Sequence, residues 1–438
     1  MNILTDKVKP TYIKLLASAA GSSLIASVFG VIDAMMIGKY HGPNGTAALA
    51  VFSPIWSFVY SLGLLAGIGG SVLFANHRGR GNEDKSNEYF TVAVIFGLVV
   101  SAISTFAISF WSEPMFRFFG ADDTLLPLAK QYLACLKFAL PCCIFSCLLS
   151  SFLRNDGNPT LATTSVIIGG IFNAFGDYFF VFVCDMGIFG AGLATSIGLY
   201  ISTIIIFFHF WRKENTLRLV YPRATFRKIV KITVNGFPTA MTDLSMGIAG
   251  IMFNRQIMKY LNSDALAVYG IITQVTVFAQ CCAYGAGQAA QPIISQGLGA
   301  KKYGRIKECL KYALYTSAVF GVVWAGLALA VPNVFVGIFM TPTESVLAIA
   351  PAIIRVYGIS YLIMPFNIFA TYYFQSIMKP HASTISSVSR GALVSGVAIM
   401  ILPLVFGGDS LWYAMLVTEI IVAVYCGYNM WKYTKELK

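Results

Sequence analysis

Stretch after stretch of this chain is apolar and almost unbroken by charge, each run reaching the roughly 20 residues an α-helix needs to cross hydrocarbon. In that solvent every backbone N–H and C=O must be satisfied within the protein, which leaves helices or closed barrels. The runs are continuous rather than alternating, so helices are selected. Composition agrees: charged residues make up only 11%, where a soluble domain carries about a quarter. The fold class expected is an all-α polytopic membrane protein.

Polar punctuation divides the 438 residues into twelve expected transmembrane helices, near 11–38, 46–75, 89–111, 126–153, 160–183, 187–211, 229–254, 265–296, 308–331, 345–378, 382–406 and 410–431. Several exceed a vertical crossing, so tilt, kinks or protruding ends are expected. No small-residue cleavage site follows the first apolar stretch, so the first helix is expected to stay. Most cysteines lie inside apolar runs and read as inert thiols, with no C-x-x-C pair or zinc spacing.

The net charge of +12 does not point to nucleic acid, because the cations sit between apolar runs. With the N-terminus inside, the cytoplasmic segments hold Lys7, Lys9, Lys14, Arg78, Arg80, Lys85 and Arg154. The central loop adds Arg212, Lys213, Arg218, Arg223, Arg227, Lys228 and Lys231, and Lys301, Lys302, Arg305, Lys307, Lys311, Lys379 and the tail lysines follow. The opposite side holds only Lys39, Arg117, Lys130, Arg255 and Lys259, with Asp122, Asp123, Asp185, Glu344 and Asp409 mostly there too. Both termini are therefore expected in the cytoplasm, in a plasma (inner) membrane.

The chain also repeats. Ala48-Leu49-Ala50-Val51 returns as Ala265-Leu266-Ala267-Val268, Gly79-x-Gly81 as Gly297-x-Gly299, and Gly157-Asn158-Pro159 lies opposite Met378-Lys379-Pro380. Six spans per half is an even number, so the halves share one orientation about a pseudo-two-fold axis along the membrane normal. The expected organisation is an N-terminal six-helix lobe (1–211), a cytoplasmic linker (212–228) and a C-terminal six-helix lobe (229–438).

These features resemble the multidrug and toxic compound extrusion (MATE) transporters across nearly the whole chain. The resemblance is carried by Asp33 in Val31-Ile32-Asp33-Ala34-Met35-Met36-Ile37-Gly38, by Gly67-x-Gly69 and by Arg154-x-x-Gly157-x-Pro159. Asn173-x-x-x-Asp177 and Gly190-Ala191-Gly192-Leu193-Ala194-Thr195 complete it. It is nearest to the bacterial branch of DinF and MepA-like exporters. The family often has a proline before the acidic position of the first span; this chain reads Ser18-Ala19-Ala20, which removes a proline-dependent bend.

The residues can be weighed without the family. An ionisable side chain in a bilayer costs roughly 2.5–3.5 kcal/mol on insertion scales, so it normally faces a partner or a cavity. Measured from the expected span ends, Asp33, Asp177 and Thr195 lie about 7.5, 9 and 12 Å deep, all in the outer half. Asn173 and Asp177 are four apart and share a helix face. Two carboxylates, an amide and a hydroxyl make a hard-oxygen site suited to Na⁺; alternatively the carboxylates share a proton, because like charges resist being ionised together. The competing reading makes Asp33 an interfacial cap and the others polar glue between helices. The resemblance implies that Asp33, Asn173, Asp177 and Thr195 bind the coupling cation.

Aligned on Pro380, the positions opposite Asn173 and Asp177 are Val394 and Ala398, so the cation chemistry is assigned to the first half. In the second half Asp243 is either a contact for a cationic substrate or a partner for Arg390 or Arg355. Lys137, Arg355, Arg390 and Glu419 read as structural pairs. Phe and Met are abundant, at 34 and 15 residues, and could line an adaptable pocket, although packing explains any single one of them. No phosphate-binding G-x-x-x-x-G-K-[ST] loop and no catalytic or metal constellation is present, so neither direct ATP coupling nor an enzyme is expected.

The expectation is thus a monomeric secondary antiporter that exports small organic compounds, often cationic or amphipathic, against Na⁺ or H⁺. It needs the lipid bilayer, no cofactor and no nucleic acid. The rivals are a lipid-linked precursor flippase, which should carry a cationic cavity, and a membrane scaffold without transport.

Overall fold

The computed structural model describes residues 1–339 and 343–437; Lys438, the last of the tail lysines, lies outside the described residues. Helices account for nearly all of it, and no strand occurs among the described residues. The helices are α1 (Val8–Gly79), α2 (Glu83–Phe118), α3 (Leu125–Asn155), α4 (Pro159–Gly176), α5 (Gly187–Phe207), α6 (Thr225–Tyr260) and α7 (Ser263–Gly299). They continue as α8 (Tyr303–Ala330), α9 (Pro332–Phe339), α10 (Glu344–Gly358), α11 (Met364–Ser376), α12 (Pro380–Val388), α13 (Val394–Phe406) and α14 (Ala414–Glu436).

Among the described residues, ten helical stretches are long and apolar enough to cross a membrane. One of them, α1, runs 72 residues and contains two spans, and the more heavily charged α6 adds another 36-residue helix. Twelve crossings result, and within several of them a short 3-10 or π segment continues the helix. The turn expected between the first two spans shrinks to a single residue: only Gly42 leaves helical geometry, at φ 63°, and Pro43 follows it. Glycine tolerates that φ without a Cβ clash, and proline's fixed φ starts the next helix. Through Ser18, Ala19 and Ala20 the first span stays helical, without a bend. The short helix α9, which sequence patterning did not separate from a loop, follows the break at Val331 and opens on Pro332.

Two compact units form: Met1–Thr5 with Gly21–Gly236, and Asp6–Ala20 with the chain from Phe237 onward. Their boundaries fall inside α1 and α6. In the first unit α3 packs along α5 and α2, and α4 along α5. Small residues let these backbones approach, as in membrane helix pairs generally. A Cβ on Gly192 would lie 2.3 Å from the Tyr132 carbonyl oxygen, and one on Gly69 2.2 Å from that of Ile232. In the second unit α7 packs against α11 and α8, and α11 against α12.

The repeat is visible in the backbone. After α3, Asn158 N–H donates to the Leu153 carbonyl at 2.9 Å; after α11, Lys379 N–H donates to Phe374 at 2.8 Å. Asn82 to His77 (3.1 Å) and Lys302 to Gly297 (2.8 Å) form a second matched pair. These six-to-one bonds close Schellman turns that satisfy orphan carbonyls. Gly157 (φ 81°) and Met378 (φ 60°) hold equivalent left-handed positions. The geometry is conserved between halves, but the side chains differ: Asn158 caps α4 by accepting from Leu161 N–H at 3.4 Å, whereas Lys379 caps nothing.

Candidate cation-coupling site

Asp33 sits within the first span, nine residues before the break at Gly42, which places it about 13 Å from that break. This is deeper than the sequence depth, because the helix runs past Gly38. Asn173 lies on α4, and Asp177 opens a π-helical stretch, Asp177–Val183, that continues it. Single-turn π segments widen a helix locally and recur at functional positions. Thr195 is on α5. Above them Tyr40 donates to the Asp185 carboxylate, and Ile188 N–H donates to His41 Nε2 at 3.0 Å. Those two links tie the end of the first span near Gly42 to the start of α5, the helix that carries Thr195.

A residue that sequence reasoning missed completes the arrangement. Tyr132, from α3 and buried, donates from its hydroxyl to Asp33 Oδ2 at 2.9 Å. The Thr195 hydroxyl reaches the same phenol oxygen. Asn173 Nδ2 in turn donates to Thr195 Oγ1 at 3.1 Å and to Asp177 Oδ1 at 3.4 Å. One polar chain therefore runs Asp33–Tyr132–Thr195–Asn173–Asp177. The depth arithmetic that singled out the carboxylates would also have found Tyr132, seven residues into its helix and about 10 Å down; an aromatic hydroxyl simply did not register as a ligand-shell residue.

Two atoms of the chain are left over. Asp33 Oδ1 and Asp177 Oδ2 are buried and accept no hydrogen bond. Buried carboxylate oxygens with no donor are costly, and a small hard cation or a proton would satisfy them. Asp177 is wholly buried, and Asp33 and Asn173 are nearly so. The donor set is all oxygen, as Na⁺ prefers over soft nitrogen or sulfur ligands. No group of three or more His, Cys, Asp or Glu side chains occurs among the described residues.

In the second unit Asp243 accepts from the Tyr284 hydroxyl at 3.0 Å. Neither arginine considered as its partner makes an ion pair with it. Arg390 Nε donates to Glu419 Oε1 at 2.7 Å, while Asn367 Nδ2 holds Glu419 Oε2 at 2.6 Å. Arg355 is exposed and donates to the Leu329 carbonyl at 3.1 Å.

Comparison with known proteins identifies the family. The MatE family model matches residues 19–179 and 238–401, one match in each half of the chain. The chain belongs to the MatE family. Among curated members, the multidrug export protein MepA of Staphylococcus saprophyticus is 24% identical over 404 residues, covering 92% of this chain and 89% of that protein. MepA of Staphylococcus aureus is 23% identical over 407 residues, with 92% and 89% covered. Among solved structures, an outward-facing multidrug resistance MATE family transporter superposes with a TM-score of 0.92 at 17% identity, covering 99% of this chain and 98% of that one. A transporter of the same superfamily from Pyrococcus furiosus, described by a reverse polarity of its binding pocket, superposes at 0.90 with 18% identity, covering 99% and 98%. This MatE-family chain thus has the twelve-helix, two-bundle architecture that its repeat implied.

Proposed function

We propose that this chain is a secondary active antiporter that moves organic compounds out of the cell while a cation moves in. Asp33, Asn173, Asp177 and Thr195 bind that cation, Na⁺ or H⁺, and Tyr132 joins the two carboxylate arms. The observation that carries the reading is the pair of orphaned oxygens, Asp33 Oδ1 and Asp177 Oδ2, on one hydrogen-bonded chain. A cation bound there relieves both at once and favours the conformation that holds the chain together. Coupling requires such a difference in affinity between two conformations.

The substrates are small and organic, often cationic or amphipathic, in keeping with the multidrug export described for MepA. Asp243, bonded by the Tyr284 phenol and with the Arg390 charge nearby but not ion-paired to it, is the candidate contact for a positively charged substrate in the second unit. The precursor-flippase rival would need a cationic cavity, and the Arg390 charge is balanced through Nε by Glu419.

Purified protein in proteoliposomes, driven by a Na⁺ gradient or a pH gradient, separates the two ions. Asp33→Asn is expected to abolish gradient-driven dye efflux at normal expression, and Asp177→Asn likewise. Normal efflux by either variant would remove that carboxylate from the site.

A further inference from the structure

We infer that the linker between the repeats is a docking surface for anionic phospholipid. Between Arg212 and Ala224 the linker has no helix or strand, yet it is not a free loop. Its backbone N–H groups donate at every second residue to side chains of the first unit: Thr216 to Asp156 Oδ2 (3.1 Å), Arg218 to Asn87 Oδ1 (3.1 Å) and Val220 to Thr91 Oγ1 (3.0 Å). The Leu217 side chain is buried beneath it. The strap is pinned from one side, so its outward side chains stay presented.

What it presents is unusual for a surface meant for water. Trp211, Leu219, Tyr221 and Phe226 are 76%, 69%, 92% and 79% exposed. Between them stand Arg212, Lys213, Arg218, Arg223 and Arg227, all exposed, against the single carboxylate of Glu214. None of the five cations enters an ion pair among the described residues. The strap joins the end of α5 directly to the start of α6, both of membrane length, so it lies at the level of the lipid headgroups. Aromatic side chains settle at that level, and clustered Lys and Arg there attract anionic headgroups over a Debye length. Only a lipid surface offers an apolar boundary and negative charge together at this depth; a soluble polyanion offers charge alone. The inference needs the membrane-spanning fold but not the transport reading, so each can fail while the other stands.

The test counts phospholipid bound to the full-length protein in detergent by native mass spectrometry, titrating phosphatidylglycerol or phosphatidylcholine. The variant Arg212→Gln/Lys213→Gln/Arg223→Gln/Arg227→Gln alters only exposed side chains, and its melting temperature checks the fold. Lys301→Gln/Lys307→Gln/Lys311→Gln removes exposed cations elsewhere. Wild type is expected to bind phosphatidylglycerol at least about tenfold more tightly than phosphatidylcholine. The linker variant should lose that preference and the other variant keep it. Trp211→Ser/Tyr221→Ser should weaken binding of both lipids. The inference is overturned if wild type shows no preference, if the linker variant keeps it, or if both lysine and linker variants lose it equally. Displacement of the lipid by inorganic phosphate at equal concentration would also overturn it, since the site would then be one for a free anion.

Discussion

At the residue scale the most exposed commitment is Tyr132. Its hydroxyl donates to the buried Asp33 Oδ2, and removing one partner of a buried hydrogen bond to a charged group costs about 1–3 kcal/mol. Tyr132→Phe is expected to fold, to raise the cation concentration needed for half-maximal efflux by roughly tenfold or more, and to leave substrate affinity in the absence of a gradient unchanged. A cation titration of efflux in proteoliposomes reads this; an unchanged midpoint would take Tyr132 out of the site. A second buried cluster lies at the opposite end of the first unit. Asp156, whose side chain is fully buried, is bound by Arg78, by Thr216 and by His209 Nε2 at 2.7 Å. Asn158 Oδ1 caps α4, which turns its Nδ2 toward His209 Nδ1 (3.1 Å). The ring therefore accepts at Nδ1 and donates from Nε2 to Asp156. Burial pushes the Asp156 carboxyl up, but His209, Thr216 and Arg78 outweigh it and hold it below the usual aspartate range. A lowered folded pKa stabilises above the unfolded value and is lost as pH falls through the folded one. Stability from this cluster should thus be intact at pH 7 and disappear only at pH below the usual aspartate pKa of about 3.9. Asp156→Ala, which takes the buried carboxylate from His209, Thr216 and the half-buried Arg78, should cost about 1–3 kcal/mol and shift the thermal midpoint at neutral pH but not in strong acid.

Elements carry the repeat, and there the two halves make different use of one turn. Gly157 at φ 81° faces the Met1 carbonyl oxygen, which a Cβ would approach to 2.5 Å. Gly157→Ala is therefore expected to be destabilising by about 1–2 kcal/mol, from left-handed strain alone, with more from displacing Met1. Met378 occupies the matching turn at φ 60°. Met378→Gly should be neutral or stabilising by up to about 1 kcal/mol, because relieved strain is partly offset by unfolded-state entropy. Thermal melts of the two variants in detergent check the opposite signs. Equal destabilisation by both would mean that the turns are not equivalent. Asp177 belongs to this scale as well, since the π stretch it opens is a property of the element and has no signature in the hydropathy of residues 160–183.

For the whole molecule, the charge bias between spans makes an orientation testable. Single cysteines introduced at Thr5 and Glu436 into a background lacking the nine native ones should react with a membrane-impermeant maleimide only after the membrane is opened. A cysteine at Asp122, in the segment between α2 and α3, should react in intact cells. The reverse pattern would invert the topology, and with it the direction assigned to cation entry. Ion choice is also a property of the whole transporter: the oxygen donor set accepts Na⁺ or a proton, and the gradient experiment on the assembled protein decides.

The sequence alone determined the class, the twelve crossings and the six-plus-six repeat, because bilayer thickness and the need to satisfy every backbone group act on runs of about 20 residues that can be counted. From the constant helix rise it also led to the expectation of Asp33, Asp177 and Thr195 at similar depth, with Asn173 on the helix face of Asp177. Tertiary structure decided which atoms meet. Tyr132 comes from a helix nearly a hundred positions away from Asp33 and meets it only in the folded protein, where Gly192 lets α5 pack closely on α3 at the Tyr132 carbonyl. That Arg390 would take Glu419 and leave Asp243 to Tyr284 was equally unreadable from spacing, because each is a contact between helices distant in the chain. The single-residue break at Gly42 was hidden for the opposite reason: hydropathy reads a polar interruption as a loop, while the backbone needed only one glycine to turn.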